Sequence, residues 1–117
     1  MKAAFWQRGE AIDYTNTTKA TIQANTIVTI GSRIGIVGGD ILPGEIGALH
    51  MNGVFAIPKA DEGEIAAGID VYFTEKGITK SADNGKTSGE KVEYPKAGYL
   101  IETAAASDAM AKVKLLG

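Results

Sequence analysis

The amino-acid sequence predicts an all-β protein: a small barrel or sandwich of eight to ten short strands with glycine-rich turns, little or no helix, and an extended N-terminal arm. Three observations carry that prediction. Isoleucine and valine together outnumber leucine by 19 to 5, and β-branched side chains suit a pleated, half-buried surface better than a helix, which restricts their χ1. Fifteen of the 117 residues are glycine, nearly twice the usual share of ~7%, with no collagen-like period, so the excess belongs to tight turns. Short apolar, β-branched runs bounded by Gly, Asn and Pro recur along the chain, with no long helix among them.

Taken in order, residues 1–8 read as an arm and residues 9–117 as a single β domain. The β-branched run from Ala20 to Val37, broken at Asn25, Gly31 and Gly35, predicts strands at about 26–30 and 33–37. Gly38 to Glu45, with three glycines and a proline in eight residues, is a loop. From Ile46 to Pro58 two apolar runs flank Asn52-Gly53, the pair favoured in a type I′ hairpin turn, where both central residues take φ > 0. Such a turn sets Met51 opposite Val54, His50 opposite Phe55, Leu49 opposite Ala56 and Ala48 opposite Ile57. Both faces are then largely apolar, which calls for a central place in the sheet or a second subunit against it.

Gly63 to Gly68 is too short for an amphipathic helix and reads as a turn or a 3₁₀ segment. Val71–Thr74 and Ile78–Lys80 flank Glu75-Lys76-Gly77 as a second hairpin, and Ser81 to Glu93 is a long polar loop. Strands at Tyr99–Thr103 and Ala109–Leu115 close the chain. In the last, Met110, Val113 and Leu115 are expected to point inward if one irregularity near Lys112 is allowed.

Composition excludes several function classes. With no cysteine there is no disulfide framework, thiolate metal site or cysteine nucleophile. Fourteen acids and 12 bases, spread along the chain for a formal charge of −2, leave no basic face for nucleic acid. The N-terminus lacks the apolar core of a signal peptide and no apolar run approaches the ~18 residues of a membrane span, so synthesis in a cytosol and no membrane partner are expected.

The motifs that suggest chemistry fall short of it. Asn84-Gly85-Lys86-Thr87 resembles the end of a phosphate-binding loop, but Lys80 stands where that loop needs its first glycine, and no helix follows. Gly31, Gly35 and Gly38 are spaced four and three apart rather than two and three as in a dinucleotide fingerprint. His50 is the single histidine and reads as a sheet residue. Asp61, Glu62 and Glu64 lack the Asp/Asn ladder of a calcium loop and read as a solvated turn. Asn16-Thr17-Thr18 fits the glycosylation pattern, which carries no weight without a signal peptide. Neither an enzyme, a metal site nor a cofactor is therefore expected. Phe5 and Trp6, flanked by Lys2 and Arg8, stand apart. They either cover one end of the domain or belong to an arm that orders against a partner.

The order of segments resembles the small capsid-cement, or head-decoration, proteins of tailed bacteriophages. The resemblance is carried by Gly9–Asn16, Ile27–Gly31 with Ile34–Val37, Gly44–Leu49, Gly53–Lys59, Ile65–Tyr72, Ala97–Tyr99 and the end from Ala104 to Leu115. Two departures are Asn25, where a turn glycine is expected, and the long polar stretch Ser81–Glu93. The resemblance implies a β fold without catalytic motif that forms a homotrimer and docks on the outside of the expanded head, where copies of the major capsid protein meet. There it would hold the shell against the pressure of packaged DNA, after synthesis in the host bacterial cytoplasm. Within that reading Lys2, Phe5, Trp6 and Arg8 are the expected capsid contacts, and Leu49, Met51, Val54 and Phe55 the expected trimer seam. The alternative from another class is a head-fibre base or adhesin-like β module that binds a surface ligand.

Overall fold

The computed structural model describes residues 1–116. It contains nine strands: β1 (Ala11–Thr15), β2 (Ile27–Ile30), β3 (Arg33–Val37), β4 (Ile46–His50), β5 (Asn52–Pro58), β6 (Asp70–Thr74), β7 (Gly77–Thr79), β8 (Lys96–Leu100) and β9 (Met110–Leu116). The described residues include no helix. All nine strands belong to one branched sheet that does not close into a barrel, so the sandwich-like alternative holds.

The strand order hides a repeat. β2 pairs with β3, β3 with β4 and β4 with β1; in the second half β6 pairs with β8, β8 with β9 and β9 with β5. Hydrogen bonds agree at each joint. Ile22 and Ile41 exchange backbone bonds of 2.9 Å in both directions, and so do Ile65 and Ala104. The Asn25 N–H donates to the Val37 carbonyl at 2.7 Å as the Gly68 N–H donates to that of Leu100 at 2.7 Å. The Asp40 carboxylate accepts from the Ala24 N–H at 2.8 Å, and the Thr103 hydroxyl accepts from the Ala67 N–H at 3.1 Å. Ile12 and Phe55, Ile22 and Ile65, Asn25 and Gly68, and Val28 and Val71 are counterparts at one constant offset. Beyond them the second unit carries an insertion: β7 and the loop 80–95 replace the tight turn Gly31-Ser32 between β2 and β3.

Each unit buries its own core. In the first, Val37, Ile41, Leu49 and Met51 are buried, with Ile12, Tyr14, Ile22 and Val28 packed around them. The counterparts Leu100, Ala104, Val113, Leu115, Phe55, Ile57, Ile65 and Val71 all belong to the core of the second. That core extends across the junction to Ile27, Ile34 and Ile36, and at the junction β3 and β8 run parallel with the counterparts Arg33 and Lys96 opposite one another. Ile34 to Val37 are consequently buried on both faces of β3, which is why this segment is a continuous apolar run rather than an alternating one.

Turn chemistry follows the repeat. Asn25, Gly44 and Gly68 occupy the third position of three four-residue turns and have φ of +70°, +79° and +82°. Asn25 does the work of the missing glycine, because asparagine tolerates the left-handed region better than other side chains.

Two expectations are corrected. Asn52-Gly53 is not a hairpin turn: Gly53 has φ of +119°, but Asn25 is the sole non-glycine residue described with positive φ, so Asn52 does not satisfy the type I′ geometry. The chain instead passes straight from β4, which ends the first unit, into β5, which begins the second and pairs with β9. The apolar character of both faces reflects burial in two separate cores. In β9 the alternation has no irregularity: Ala111, Val113 and Leu115 point inward and Met110 is exposed. Strands at 27–30 and 33–37, the β6–β7 hairpin and the polar loop stand where the sequence predicts them; the strand expected at Tyr99–Thr103 lies earlier, as β8, and β1 is a strand the sequence pattern did not predict, in which Ile12 and Tyr14 alternate with Asp13.

Candidate functional site

The surfaces that stand out are the arm, the outer face of β5 and β9, and a cavity built by the insertion. Residues 1–9 form no strand. Phe5 and Trp6 are 88% and 89% exposed, so the arm does not lie over the end of the domain. Lys2, Phe5, Trp6 and Arg8 thus share one short extended segment whose aromatic surface is unspent. Its contacts are local: the Gln7 side-chain amide donates to the Ala11 carbonyl at 3.4 Å, and Arg8 approaches Glu10 at 3.8 Å with both side chains in solvent, a pair of little energetic weight.

The four expected seam residues are divided by the fold. Leu49 and Met51 are spent on the first unit's own core. Phe55 packs partly against the second core, and Val54 is 48% exposed. Register places Val54 opposite Lys114, Asn52 opposite Leu116 and Pro58 opposite Met110. The outer face therefore joins Val54 with exposed Met110 and Leu116, neither of which was anticipated; the clean alternation of β9 was the signal. Lys112 and Lys114 stand between Met110 and Leu116 on this same face, so apolar and basic side chains alternate along it. Lys114 lies 5.7 Å from the centroid of the Tyr99 ring and Lys112 pairs with Glu102 at 3.1 Å. Nearby, the Lys96 amino group reaches the Asp70 carboxylate at 3.0 Å, and that hydrogen bond and opposite charge raise the Lys96 pKa above its ordinary value.

The insertion encloses an open cavity of about 830 Å³. Phe73, Val92, Tyr94 and Pro95 give it apolar walls, Thr29 of β2 lines it from the first unit, and Asp61, Glu75, Asp83 and Glu93 supply carboxylates. The polar loop is held by its own bonds: the Asn84 N–H to the Val92 carbonyl at 3.1 Å, the Tyr94 N–H to that of Ala82 at 2.9 Å, and the Asn84 side chain to the Glu90 carbonyl at 2.9 Å. Lys86 and Gly85, which raised the phosphate-loop comparison, lie in this exposed loop, where Lys86 pairs with Glu90 at 3.3 Å. Asp61 accepts the Lys80 N–H at 3.0 Å, and no set of three or more metal-ligating side chains converges among the described residues.

A branched β scaffold whose distinctive surfaces are an exposed aromatic arm and an outer strand face of mixed apolar and basic side chains is suited to contact with other proteins. The model of the phage cement protein family matches residues 6–115, and the chain belongs to that family. It is therefore a bacteriophage structural protein that associates with the virion capsid and stabilises it, a role that asks for no catalysis. No curated protein and no solved structure gives a significant match.

Proposed function

We propose that this chain is a decoration protein that docks, as a homotrimer, on the outer surface of the expanded phage head where major capsid subunits meet, and braces the shell against the pressure of packaged DNA. The observation that supports this reading best is the arm, which holds Phe5 and Trp6 almost fully in solvent beside Lys2 and Arg8. Two large aromatics supply contact area at small cost in conformational entropy, and the flanking cations orient the approach. A trimer carrying three arms engages three equivalent sites at once, and its avidity exceeds that of one arm without any new contact. In the seam we place Val54, on the outer face shared with Met110 and Leu116, while Phe55, expected beside it, points to the second core. The protein is made in the host cytoplasm and added to heads after expansion.

The test is co-sedimentation with expanded, undecorated heads, paired with solution mass by light scattering. Deletion of residues 1–8 is expected to abolish co-sedimentation while the circular dichroism spectrum is kept, since those residues contribute no strand. An arm-less protein that still decorates heads removes the arm from the contact. Wild-type protein left wholly in the supernatant overturns the docking reading in favour of a fibre-base or adhesin module. Val54→Asp is expected to lower the solution mass towards that of the monomer, and an unchanged mass takes Val54 out of the seam.

A further inference from the structure

We propose that the outer edge of β2, with the acidic cavity beside it, receives the N-terminal arm of a second copy of this chain as an added strand. The inference rests on the self-association proposed above. It starts from the one edge at which the two units differ. The register of β2 on β3, continued by the Val37 N–H bond to the Thr26 carbonyl at 3.0 Å, makes Val28 and Ile30 the residues bonded to β3. Ile27 and Thr29 then aim their N–H and C=O groups at the opposite edge, where no described strand pairs. In the second unit the counterpart edge, on β6, is filled by β7, with Tyr72 opposite Thr79. One scaffold thus has its edge covered from within and the other has it open, the arrangement that an added strand completes.

Composition selects the occupant. In an extended strand successive side chains point to opposite faces, so Lys2, Ala4, Trp6 and Arg8 share one face of the arm and Ala3, Phe5 and Gln7 the other. Thr29, on the open edge, also lines the cavity, whose rim holds Asp61, Glu75, Asp83 and Glu93. Lys76 lines it too, and Lys91 reaches Asp83 and Glu93 at 3.7 and 3.9 Å, which leaves the carboxylates in excess. The face with two cations and an indole complements this wall: Lys2 and Arg8 meet carboxylates, and Trp6 meets Phe73 and Tyr94. β4 and β3 stand between β1, where an arm originates, and β2, so the edge belongs to a neighbour's arm. Phe5, on the other face, stays in solvent; the site is that of free protein, and on a head the whole arm leaves this edge for the capsid.

Trp6 is the single tryptophan, so its emission in the unlabelled full-length chain reports the contact directly. The expected result, without heads, is a blue shift that develops with rising protein concentration alongside the increase in mass seen by light scattering. Thr29→Pro removes an outward N–H while leaving the β3-bonded positions intact, and should hold the red emission of a water-exposed indole at concentrations where the wild type has shifted. Glu75→Lys, in the exposed turn between β6 and β7, offers a variant that alters the cavity rim outside any strand and should raise the half-shift concentration by about tenfold or more. A rise in mass without any shift, or a shift that both variants retain, overturns the arm site and leaves self-association standing. A blue shift already complete and independent of concentration assigns the arm to its own chain and overturns the second copy. A mass that stays monomeric at every concentration removes the self-association reading itself, and this inference with it.

Discussion

The unit centred on β3 and the unit centred on β8 use the same pairings, the same bridges and the same turn positions, yet fill them with different residues. In the first, a large Ile41 lies where a side chain on Gly47 would be, so the glycine makes room for it. In the second, the corresponding positions are Ala104 and Ala111, so two methyl groups stand in place of one large side chain and none. The first unit closes β2 to β3 with a tight turn, whereas the second interrupts the counterpart connection with a strand and a long loop. What is held constant is the backbone hydrogen bonding; what varies is the size of the paired core residues and the edge of the sheet. Close packing ties the sizes of facing residues together, since an interior tolerates neither an overlap nor a void.

The sharpest way to break the equivalence is at the counterpart glycines Gly35 and Gly98. A β-carbon at Gly98 would strike the backbone carbonyl of Lys114, whereas at Gly35 it would meet the side chain of Leu49. Gly98→Ala is therefore expected to cost about 3 kcal/mol or more by chemical denaturation, because a paired backbone does not yield, and Gly35→Ala about 1–2 kcal/mol, because a leucine can change rotamer. Equal losses would mean that the units pack alike at these sites. Next in size, Ile41→Ala should cost about 2–4 kcal/mol by opening a cavity. Adding Gly47→Ala, which copies the second unit's pair, should restore part of that loss, although Gly47→Ala alone is destabilising. A double variant worse than Ile41→Ala would refute the volume exchange. The smallest effect is at the first turn: Asn25→Gly is expected to stay within about 0.5 kcal/mol of the parent, and Asn25→Ala to cost about 1 kcal/mol, since only the latter strains a positive φ. Matching stabilities for the two would show that the turn conformation is not limiting.

The exposed arm was legible as sequence. Lys2, Phe5, Trp6 and Arg8 could be singled out because aromatics in a terminal segment without turn or strand signals have no local partner to bury them. The seam expected around Asn52-Gly53 was not legible in this way. Leu49 and Met51 were assigned to it on the strength of a hairpin turn, and a turn motif carries no information about which distant strand competes for the same edge. β9 won that competition for β5 through seven paired residues, from Asn52 with Leu116 to Pro58 with Met110. The cavity was illegible because Thr29, Asp61, Phe73 and Tyr94 come from separate parts of the chain and carry no common pattern.

The sequence by itself determined that the protein is β, where its turns fall and that its arm is rich in aromatics, because β-branching, glycine and exposure of a terminus act within a few residues. Tertiary structure alone decided that the nine strands form two equivalent units, that β4 and β5 part company at Asn52, and that β3 is buried on both faces. Strand partners are chosen by hydrogen bonds and apolar contacts between residues far apart in sequence, and those energies belong to the assembled sheet rather than to any one segment of it.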